Sequence, residues 1–326
     1  MRIAVTGASG FLGGRVVAAA RAAGHAVVAV TRREIGGGEG VEVRTADLGA
    51  GPLPPGLLDG ADAVIHAAAG TGGDAAHARD TVGATEAVLA AMPRAARLVL
   101  VSSFSVYAVA AMPRWSTLDE RSPTEPDGAR RDAYARAKIA QERLCVAAAQ
   151  GRGLALWIAR PGAIHGPGRR WSARLGWRRG GRVVTVGGDA PVPAIHVESC
   201  AAALVAAATV PDGGWPDDLP VLEGGGRVRV VNLVDPDPPT QAEWLAAAGH
   251  GRVVTLPRAP ILRAAAALDL AGDLVPALGR RLPRGLGEAT LAARFAPLRY
   301  GTARREDRLG LGPARPFAAT MREEEA

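Results

Sequence analysis

The 326-residue chain contains almost no lysine: of its 39 basic residues, only Lys138 is not an arginine. Arginine stays protonated at any ordinary pH, whereas the pKa of a lysine ammonium moves readily and lets lysine take part in proton transfer. Lys138 follows Tyr134 by four residues, a spacing that puts both side chains on one face of a helix. The alternative is that the spacing of Tyr134 and Lys138 arose by chance, and only further motifs elsewhere in the chain can exclude that.

The chain also has few cysteines, and it lacks histidine clusters and long apolar runs. The two cysteines, Cys145 and Cys200, form neither a paired framework nor a metal-ligand spacing, and the six histidines include no His-x-x-x-His. With 48% hydrophobic and 22% charged residues and no run long enough to span a bilayer, the composition is typical of a globular protein. The chain opens on a strand-like run rather than a signal peptide. We expect a cytoplasmic protein with no membrane partner and no metal.

The net charge of +7 raises the question of a nucleic-acid partner. Arginines interleaved with aromatic residues can bind single strands by charge and stacking, but a solvated loop or a lid that attracts an anionic substrate has the same composition. Because arginine is enriched along the whole chain, we expect no nucleic-acid partner. The densest basic stretch contains Arg169, Arg170, Arg174, Arg178, Arg179 and Arg182, with Trp171 and Trp177 between them.

Short β-rich runs alternate with Ala-rich helical runs in the first half of the chain, which predicts a parallel sheet covered on both faces. We expect an α/β, Rossmann-type doubly wound sheet with a smaller, partly interleaved C-terminal substrate domain. The dinucleotide-binding domain would span residues 1–160, with returning segments near 190–208 and 228–235, and residues 161–326 would mainly bind substrate. The predicted strands are residues 3–6, 26–31, 41–44, 63–66, 98–102, 154–159 and 228–234, and the predicted helices are 11–23, 74–92, 130–150, 198–208, 240–248 and 259–278.

A glycine-rich loop follows the first predicted strand and opens the first predicted helix. Its glycines allow a tight turn and a close approach of the backbone to a pyrophosphate, whose charge sits at the helix N-terminus. Because glycine is abundant in this chain, the glycines alone are weak evidence for a dinucleotide site. The position of the loop between a strand and a helix is what indicates such a site. The candidate cofactor-binding residues of this loop are Gly7, Ser9, Gly10, Phe11, Leu12 and Gly13.

The end of the second predicted strand bears on the choice of cofactor. Dinucleotide folds that prefer NAD usually place an acidic residue there, whereas arginine pairs with the 2′-phosphate of NADP. Thr31 occupies the acidic position and Arg32 and Arg33 follow, so NADP(H) is favoured over NAD(H), although both arginines could be ordinary surface residues. Small or polar residues at the next strand ends, where the cofactor would lie, are Asp47, Leu48, Ala67, Ala68 and Ala69.

Taken with Ser102-Ser103 and Tyr134-x-x-x-Lys138, these motifs resemble the extended short-chain dehydrogenase/reductase superfamily, often labelled the NAD-dependent epimerase/dehydratase family. Residues 160–168 and 195–198 also match the family pattern, so the resemblance spans nearly the whole chain. It implies further cofactor contacts from Pro161, Ala163 and Ile164.

The resemblance implies a catalytic trio of Ser103, Tyr134 and Lys138. Tyr134 would be the general acid in reduction and the base in oxidation, and Lys138 would lower its pKa and hold the ribose hydroxyls. Ser103 would hydrogen-bond the reacting oxygen, although a serine at a strand end can also simply cap a backbone group. The implied chemistry is hydride transfer between nicotinamide and a carbonyl or alcohol carbon.

Departures from the family pattern narrow the reaction. Phe104 and Ser105 stand where dehydratases and decarboxylases place acidic residues, which argues against elimination. Ala163 and Val192 stand where sugar-nucleotide enzymes carry an asparagine and an arginine that hold the diphosphate. Unless the arginines at 169–182 compensate, losing those contacts favours a smaller or more apolar substrate. His196 is expected to pack at a domain junction.

We therefore expect an NADP(H)-dependent oxidoreductase acting on a small-molecule carbonyl or alcohol. A nucleotide-sugar epimerase of the same family is the alternative, and a dinucleotide-binding regulator without catalysis is a more distant one. A homodimer is also open, because relatives often pair through a four-helix contact, which here would use the helices near 74–92 and 130–150.

Overall fold

The computed structural model describes residues 1–211, 227–275, 283–302, 307–311 and 316–323. The strands in this part of the chain are β1 (Arg2–Thr6), β2 (Ala26–Thr31), β3 (Val41–Thr45), β4 (Ala63–His66), β5 (Arg97–Val101), β6 (Thr117–Leu118), β7 (Ala155–Pro161), β8 (Ala163–His165), β9 (Trp177–Arg179), β10 (Arg182–Val186), β11 (Ala194–His196), β12 (Arg227–Leu233), β13 (Val253–Leu256) and β14 (Arg299–Tyr300). The helices are α1 (Phe11–Ala22), α2 (Asp74–His77), α3 (Ala84–Ala91), α4 (Ala133–Arg152), α5 (Val197–Thr209), α6 (Gln241–Ala247), α7 (Arg258–Leu274), α8 (Glu288–Phe295) and α9 (Phe317–Glu323), with a helical turn at 307–309.

Seven parallel strands form the central sheet in the order β12-β7-β5-β4-β1-β2-β3, which confirms the Rossmann-type α/β fold. The chain runs outward from β1 to β3 and then returns to β4 on the other side of β1. Such a reversal opens a crevice at the carboxyl ends of the strands, where ligands bind in open α/β sheets. The candidate cofactor residues at 7–13, 31–33, 47–48 and 67–69 all follow strands that end at this edge.

Alternation of side chains along the strands builds one apolar layer on each face of the sheet. Ile3 and Val5 belong to a buried cluster that also contains side chains of α1 and α5. Ala4, between them, faces the opposite cluster, which contains side chains of α3 and α4. Both faces are thus covered, as the nearly continuous apolar strands require.

The helix predicted over 74–92 is interrupted. α2 ends at His77, residues Ala78–Gly83 form a wider π-helical turn, and α3 begins at Ala84. The hydroxyl of Thr85 donates a 2.6 Å hydrogen bond to the carbonyl of Thr81 within this stretch. Side-chain hydrogen bonds of this kind distort helices, and π-turns often occur at functional sites. The wider turn carries Asp80 to the rim of the crevice.

The helix predicted over 130–150 begins instead at Ala133. The Asp132 side chain accepts a 3.0 Å hydrogen bond from the Ala135 amide and so caps the helix. Gly153 ends it in the left-handed conformation, at φ 66°. The cap fixes Tyr134 in the first turn of α4, directly at the carboxyl edge of the sheet.

The segments after β7 build three small sheets, β11-β8, β13-β10-β9 and β14-β6. As predicted for residues 228–234, β12 returns to the central sheet and pairs with β7. The predicted helix 259–278 is α7, which ends at Leu274, and residues 276–278 lie outside the described residues. Within the described ranges, no helix combines the length and the apolar character needed to cross a membrane.

Candidate active site

At two glycine positions, the loop packs so closely against neighbouring backbone that a side chain would not fit. Gly7 adopts the left-handed conformation at φ 70°, and a Cβ there would lie 2.9 Å from the Ala68 backbone. A Cβ on Gly13 would lie 2.1 Å from the Gly7 carbonyl oxygen, so Gly13 lets α1 pack under the loop. Gly10 is the N-cap of α1 and lacks a side-chain cap, and the first turn carries no acidic residue. This helix end therefore favours an anion.

A cavity of about 180 Å³ lies beside the loop at the carboxyl edge of β1, β2, β3 and β4. It brings together ten of the predicted cofactor-binding residues, and it adds Asp80 and Ala84 from the interrupted helix. Its lining consists of Gly7, Ser9, Gly10, Val30, Thr31, Arg32, Ala46, Asp47, Leu48, Gly49, Ala67, Ala68, Ala69, Asp80 and Ala84.

The other predicted cofactor residues lie outside this cavity. Phe11 and Leu12 begin α1 beside it, and Arg33 is exposed just beyond β2. The remaining ones, apart from Gly13 in the first turn of α1, lie at the end of β7, in β8 or on α4. They are Pro161, Ala163, Ile164, Tyr134 and Lys138.

Charged groups surround the rim of the cavity. The Nη1 of Arg32 lies 3.6 Å from the Oδ2 of Asp80, and 64% of the Arg32 side chain is exposed. Arg79 pairs with both Asp47 and Asp80, and its hydrogen bond lowers the pKa of the Asp47 carboxyl. Thr31 is buried and donates its hydroxyl hydrogen to the Arg33 carbonyl at 2.6 Å. Arg32, the residue directly after β2, is thus the positively charged side chain that reaches the rim of the cavity. No sequence motif indicated Asp80 or Arg79, because the π-turn that places them has no motif of its own.

Ser103 and Tyr134 lie together at the carboxyl end of β5. Tyr134 is 39% exposed, yet its phenol group lies deep enough that burial raises its pKa, while the neighbouring Ser103 hydroxyl lowers it. The positive charges of Arg169 and Arg174 lower it further. Ser103 also accepts a 3.1 Å hydrogen bond from the Ser105 amide, so this serine both caps a backbone group and faces Tyr134. The two interpretations of Ser103 are therefore compatible.

Lys138 is buried one turn below Tyr134, with only 3% of its surface exposed. Its ammonium donates 2.8 Å hydrogen bonds to the Val101 carbonyl and to Oε1 of Gln141. Burial lowers its pKa to about 8, against the opposing effect of Glu142. In the described part of the chain no direct hydrogen bond joins Lys138 to Tyr134. The neighbouring groups that lower the pKa of Tyr134 in this arrangement are Ser103 and the two arginines, and the effect of Lys138 on that pKa, which the family resemblance implied, stays a prediction.

A buried hydrogen-bond network continues from Lys138 toward the glycine loop. Gln141 donates from Nε2 to the hydroxyl of Thr85 at 2.8 Å. The Thr85 hydroxyl hydrogen is committed to the Thr81 carbonyl, so His66 must donate from Nε2 to Thr85 across their 3.0 Å contact.

The neutral tautomer of His66 follows from this arrangement. With its proton on Nε2, His66 accepts at Nδ1 from Thr6, whose oxygen lies 2.7 Å away. Burial and the charge of Lys138 hold the pKa of His66 at about 3, so the ring stays neutral. Thr6 is the last residue of β1, directly before Gly7. Sequence reasoning identified Lys138 but missed Gln141, Thr85, His66 and Thr6, because a network across four elements leaves no linear spacing.

A buried ion pair between Arg160 and Glu142 lies next to Ser102, the residue before Ser103. Arg160 donates from Nε and Nη2 to the two Glu142 oxygens at 2.9 and 2.7 Å, and Ser102 donates to the same carboxylate. Tyr107 lies beneath the Arg160 guanidinium and donates a 2.7 Å hydrogen bond to Asn232. Burial raises the pKa of Tyr107 to about 12. This tyrosine is structural, in contrast to the accessible Tyr134.

Side chains of the basic stretch at 169–182 pack against one another and against rings elsewhere in the chain. Arg169 lies over the Phe11 ring, with 5.2 Å between its Cζ and the ring centroid. Trp171 is covered by Arg178 at 4.1 Å, and Trp177 packs against Phe295 with ring centroids 5.4 Å apart. Because both indoles contact residues of the same chain, they do not form an open stacking surface of the kind that binds single-stranded nucleic acid.

The positions expected to lack diphosphate anchors are apolar and buried. Ala163 and Val192 belong to one cluster with Trp244 and Phe317. His165 lies in contact with the His196 ring, at 5.3 Å between centroids, and His196 caps α5 by accepting from the Glu198 amide. His196 is therefore a packing and capping residue, as expected.

The fold and the grouping of a dinucleotide loop with Ser103, Tyr134 and Lys138 define a nicotinamide-dinucleotide-dependent enzyme of the extended short-chain dehydrogenase/reductase type. The model described as "NAD dependent epimerase/dehydratase family" matches residues 3–220, and the chain belongs to that family. No protein of curated function matches the sequence.

Three similar solved structures illustrate the fold. MoeE5 in complex with UDP-glucose and NAD is 21% identical, with a TM-score of 0.69 over 99% of this chain and 97% of that one. The terminal R domain from the myxalamid PKS-NRPS biosynthetic pathway is 19% identical, with a TM-score of 0.69 over 99% of this chain and 88% of that one. The UDP-N-acetylglucosamine 4-epimerase from Bacillus cereus is 18% identical, with a TM-score of 0.60 over 99% and 98%. At these identities, the likeness is one of fold.

Proposed function

We propose that the protein is an NADP(H)-dependent oxidoreductase that transfers a hydride between nicotinamide and a carbonyl or alcohol carbon of a small or apolar substrate. The observation that carries the proposal is the grouping of the Tyr134 phenol, the Ser103 hydroxyl and the buried Lys138 ammonium at one sheet edge. This edge is the one at which the glycine loop opens.

The residues at the crevice fit a dinucleotide. The close packing around Gly7 and Gly13 gives the loop its tight turn, and the uncapped start of α1 favours a pyrophosphate. Thr31, Arg32, Asp47 and the small residues at 67–69 line the neighbouring cavity, where an adenosine would be held. In this proposal, Pro161, Ala163 and Ile164 contribute on the nicotinamide side.

The preference for NADP(H) over NAD(H) rests on the end of β2. No acidic side chain is available at Thr31 to hold a ribose 2′-hydroxyl, and the adjacent Arg32 keeps 64% of its side chain exposed at the cavity rim. Asp80, 3.6 Å from Arg32, competes for the same guanidinium. A 2′-phosphate with nearly two negative charges would compete with this half-buried carboxylate for Arg32, while Asp80 keeps its pairing with Arg79.

In the proposed mechanism, the dinucleotide supplies or accepts the hydride when bound. Tyr134 donates a proton to the substrate oxygen, and Ser103 hydrogen-bonds the same oxygen as negative charge develops on it. Because burial raises the pKa of Tyr134, the phenol is protonated at neutral pH, the state in which it can donate a proton during reduction. Lys138, with a pKa of about 8, is mostly charged at pH 7, and its remaining N–H is available for a ribose hydroxyl.

Nucleotide-sugar epimerisation is the second candidate, because several similar structures are described as enzymes of UDP-sugars. Against it, Ala163 and Val192 are buried in an apolar cluster where diphosphate-binding side chains would be needed. The proposal also places the enzyme in the reducing cytoplasm, since Cys145 and Cys200 are both buried in the core as thiols rather than as a disulfide.

The test is incubation of the pure protein with NADPH or NADH and a panel of aldehydes and ketones, followed by measurement of cofactor absorbance. Consumption of NADPH in proportion to alcohol formed would support the proposal. Conversion of nucleotide sugars alone, without net loss of cofactor, would establish the epimerase.

A further inference from the structure

Three arginines lie close together beside the start of α4, and two of them are neutralised. Arg131 Nη1 lies 3.0 Å from a Glu125 oxygen. Arg294 Nη2 lies 3.0 Å from the Oδ2 of Asp132. These two ion pairs neutralise the charges of Arg131 and Arg294, two of the three arginines.

Arg174, the third, contacts no carboxylate in the described part of the chain. Its Nη1 donates to the Ala293 carbonyl, which is its side chain's one hydrogen bond among the described residues. The side chain is half-buried, and burial and the charges of Arg131 and Arg294 lower its pKa. Partly burying a cation beside like charges is costly unless an anion compensates.

A chain of contacts connects Arg174 to the helix that carries the candidate catalytic tyrosine. Arg174 donates a hydrogen bond to the Ala293 carbonyl. The next residue, Arg294, pairs with Asp132, which caps the helix that carries Tyr134. The charge of Arg174 accordingly lowers the pKa of the Tyr134 phenol. Arg169 also acts on Tyr134, but it lies over Phe11 at the start of α1, on the dinucleotide side.

We propose that Arg174 binds a carboxylate at the end of the substrate remote from the reacting carbon, so that carbonyl compounds bearing an acid group are preferred. The inference rests on the proposed function and specifies its substrate class. The planar guanidinium offers a fork of N–H donors that matches a carboxylate, and it keeps its charge at every working pH. A phosphate would satisfy the same fork, and the experiment separates the two.

The experiment compares three probes that share one aldehyde: 4-carboxybenzaldehyde, its neutral methyl ester and 4-formylphenyl phosphate, each with NADPH. A hydrogen-bonded charge pair is worth about tenfold or more in binding, so kcat/KM for the acid should exceed that for the ester by about tenfold, mainly through KM. Arg174→Gln should abolish the preference by lowering kcat/KM for the acid about tenfold more than for the ester, and Arg174→Lys should keep part of it. Arg263→Gln, an exposed arginine on α7, is the matched control and should preserve the preference.

Equal kcat/KM for acid and ester in the native enzyme would overturn the inference, as would equal losses on both probes in Arg174→Gln. A preference for the phosphate over the carboxylate would overturn the carboxylate assignment. If NADPH binds but no aldehyde is reduced, the proposed function fails. Calorimetric titration of the NADPH-loaded protein with benzoate, against benzyl alcohol, then tests Arg174 alone. Benzoate binding that Arg174→Gln removes would support the site, and its absence in the native protein would refute it.

Discussion

The Nζ of Lys138 lies 2.8 Å from the Oε1 of Gln141, one turn further along the same helix. With the Val101 carbonyl, Gln141 takes two of the three ammonium hydrogens and leaves one for the cofactor side. Gln141 in turn connects, through Thr85 and His66, to Thr6 at the start of the glycine loop. The lysine is therefore positioned by neighbours on three strands and two helices, and replacing those neighbours should alter its chemistry.

Gln141→Glu is expected to move the alkaline limb of the pH–rate profile upward. Activity of the native enzyme should fall as pH rises through about 8, because Lys138 loses its charge there. A carboxylate within hydrogen-bond reach favours the charged ammonium and raises its pKa by about 1 unit or more. The groups that face Lys138 are Gln141, Glu142 and Cys145 on α4, His66 on β4 and His77 on α2.

The pH profile of kcat is the measurement, with NADPH affinity followed by fluorescence at each pH. Gln141→Leu, which removes the acceptor without adding charge, is the matched variant and should weaken NADPH binding without an upward shift. An unchanged alkaline limb in Gln141→Glu would show that Lys138 does not govern this part of the profile.

Tyr134→Phe should lower turnover by about 10²- to 10⁴-fold, the usual contribution of a positioned acid, while the melting temperature changes little. Tyr107→Phe is the matched control. It removes the buried hydrogen bond to Asn232 and should cost about 1 kcal/mol of stability while leaving most activity. Steady-state kinetics and thermal unfolding on both variants decide the matter. Comparable activity losses in the two would contradict the assignment of Tyr134.

Lys138→Arg should abolish most turnover while the fold survives. The variant retains a positive charge but replaces a compact ammonium of movable pKa with a larger guanidinium that does not release its proton. Lys138→Met, close in length and uncharged, separates the need for charge from the need for shape. Circular dichroism should be native-like for at least one of them. Near-native turnover in a folded Lys138→Arg enzyme would mean that the lysine is not required.

Arg32→Glu should raise the dissociation constant for NADPH by about tenfold or more and affect NADH much less, because it removes the cation proposed for the 2′-phosphate. Asp80→Asn should act in the opposite direction by freeing Arg32 from its 3.6 Å contact. Fluorescence titration with each cofactor gives both constants. Parallel changes for NADPH and NADH would remove the support for NADP(H) preference.

Glu142→Gln should destabilise the protein by about 3 kcal/mol, because it leaves the buried Arg160 without its charge partner. Asp273→Asn breaks the exposed pair with Arg130, whose side chains are 56% and 62% exposed, and should change stability by less than about 1 kcal/mol. Chemical denaturation of the two variants provides the comparison. A similar loss in both would contradict a structural role for the buried pair.

Linear motifs predicted the central sheet well, because consecutive strands and helices each carry their own apolar period. They also predicted ten residues of the cavity beside the glycine loop, since parallel strands end at a common edge. The π-turn that brings Asp80 to this cavity could not be read from the sequence, because no residue pattern distinguishes it from the helical turns on either side. The same limit applies to Gln141 and Arg174, whose roles depend on contacts between distant segments.

The most direct test of the central claim is hydride transfer itself, followed with NADPH that carries deuterium in place of both hydrogens at C4 of the nicotinamide. With an aldehyde such as 4-carboxybenzaldehyde, the native enzyme should place one deuterium on the product alcohol for each NADPH consumed, and Tyr134→Phe should do so at a small fraction of that rate. Absence of labelled alcohol from every carbonyl compound tried, together with conversion of nucleotide sugars at constant cofactor concentration, would contradict a carbonyl reductase and favour an epimerase.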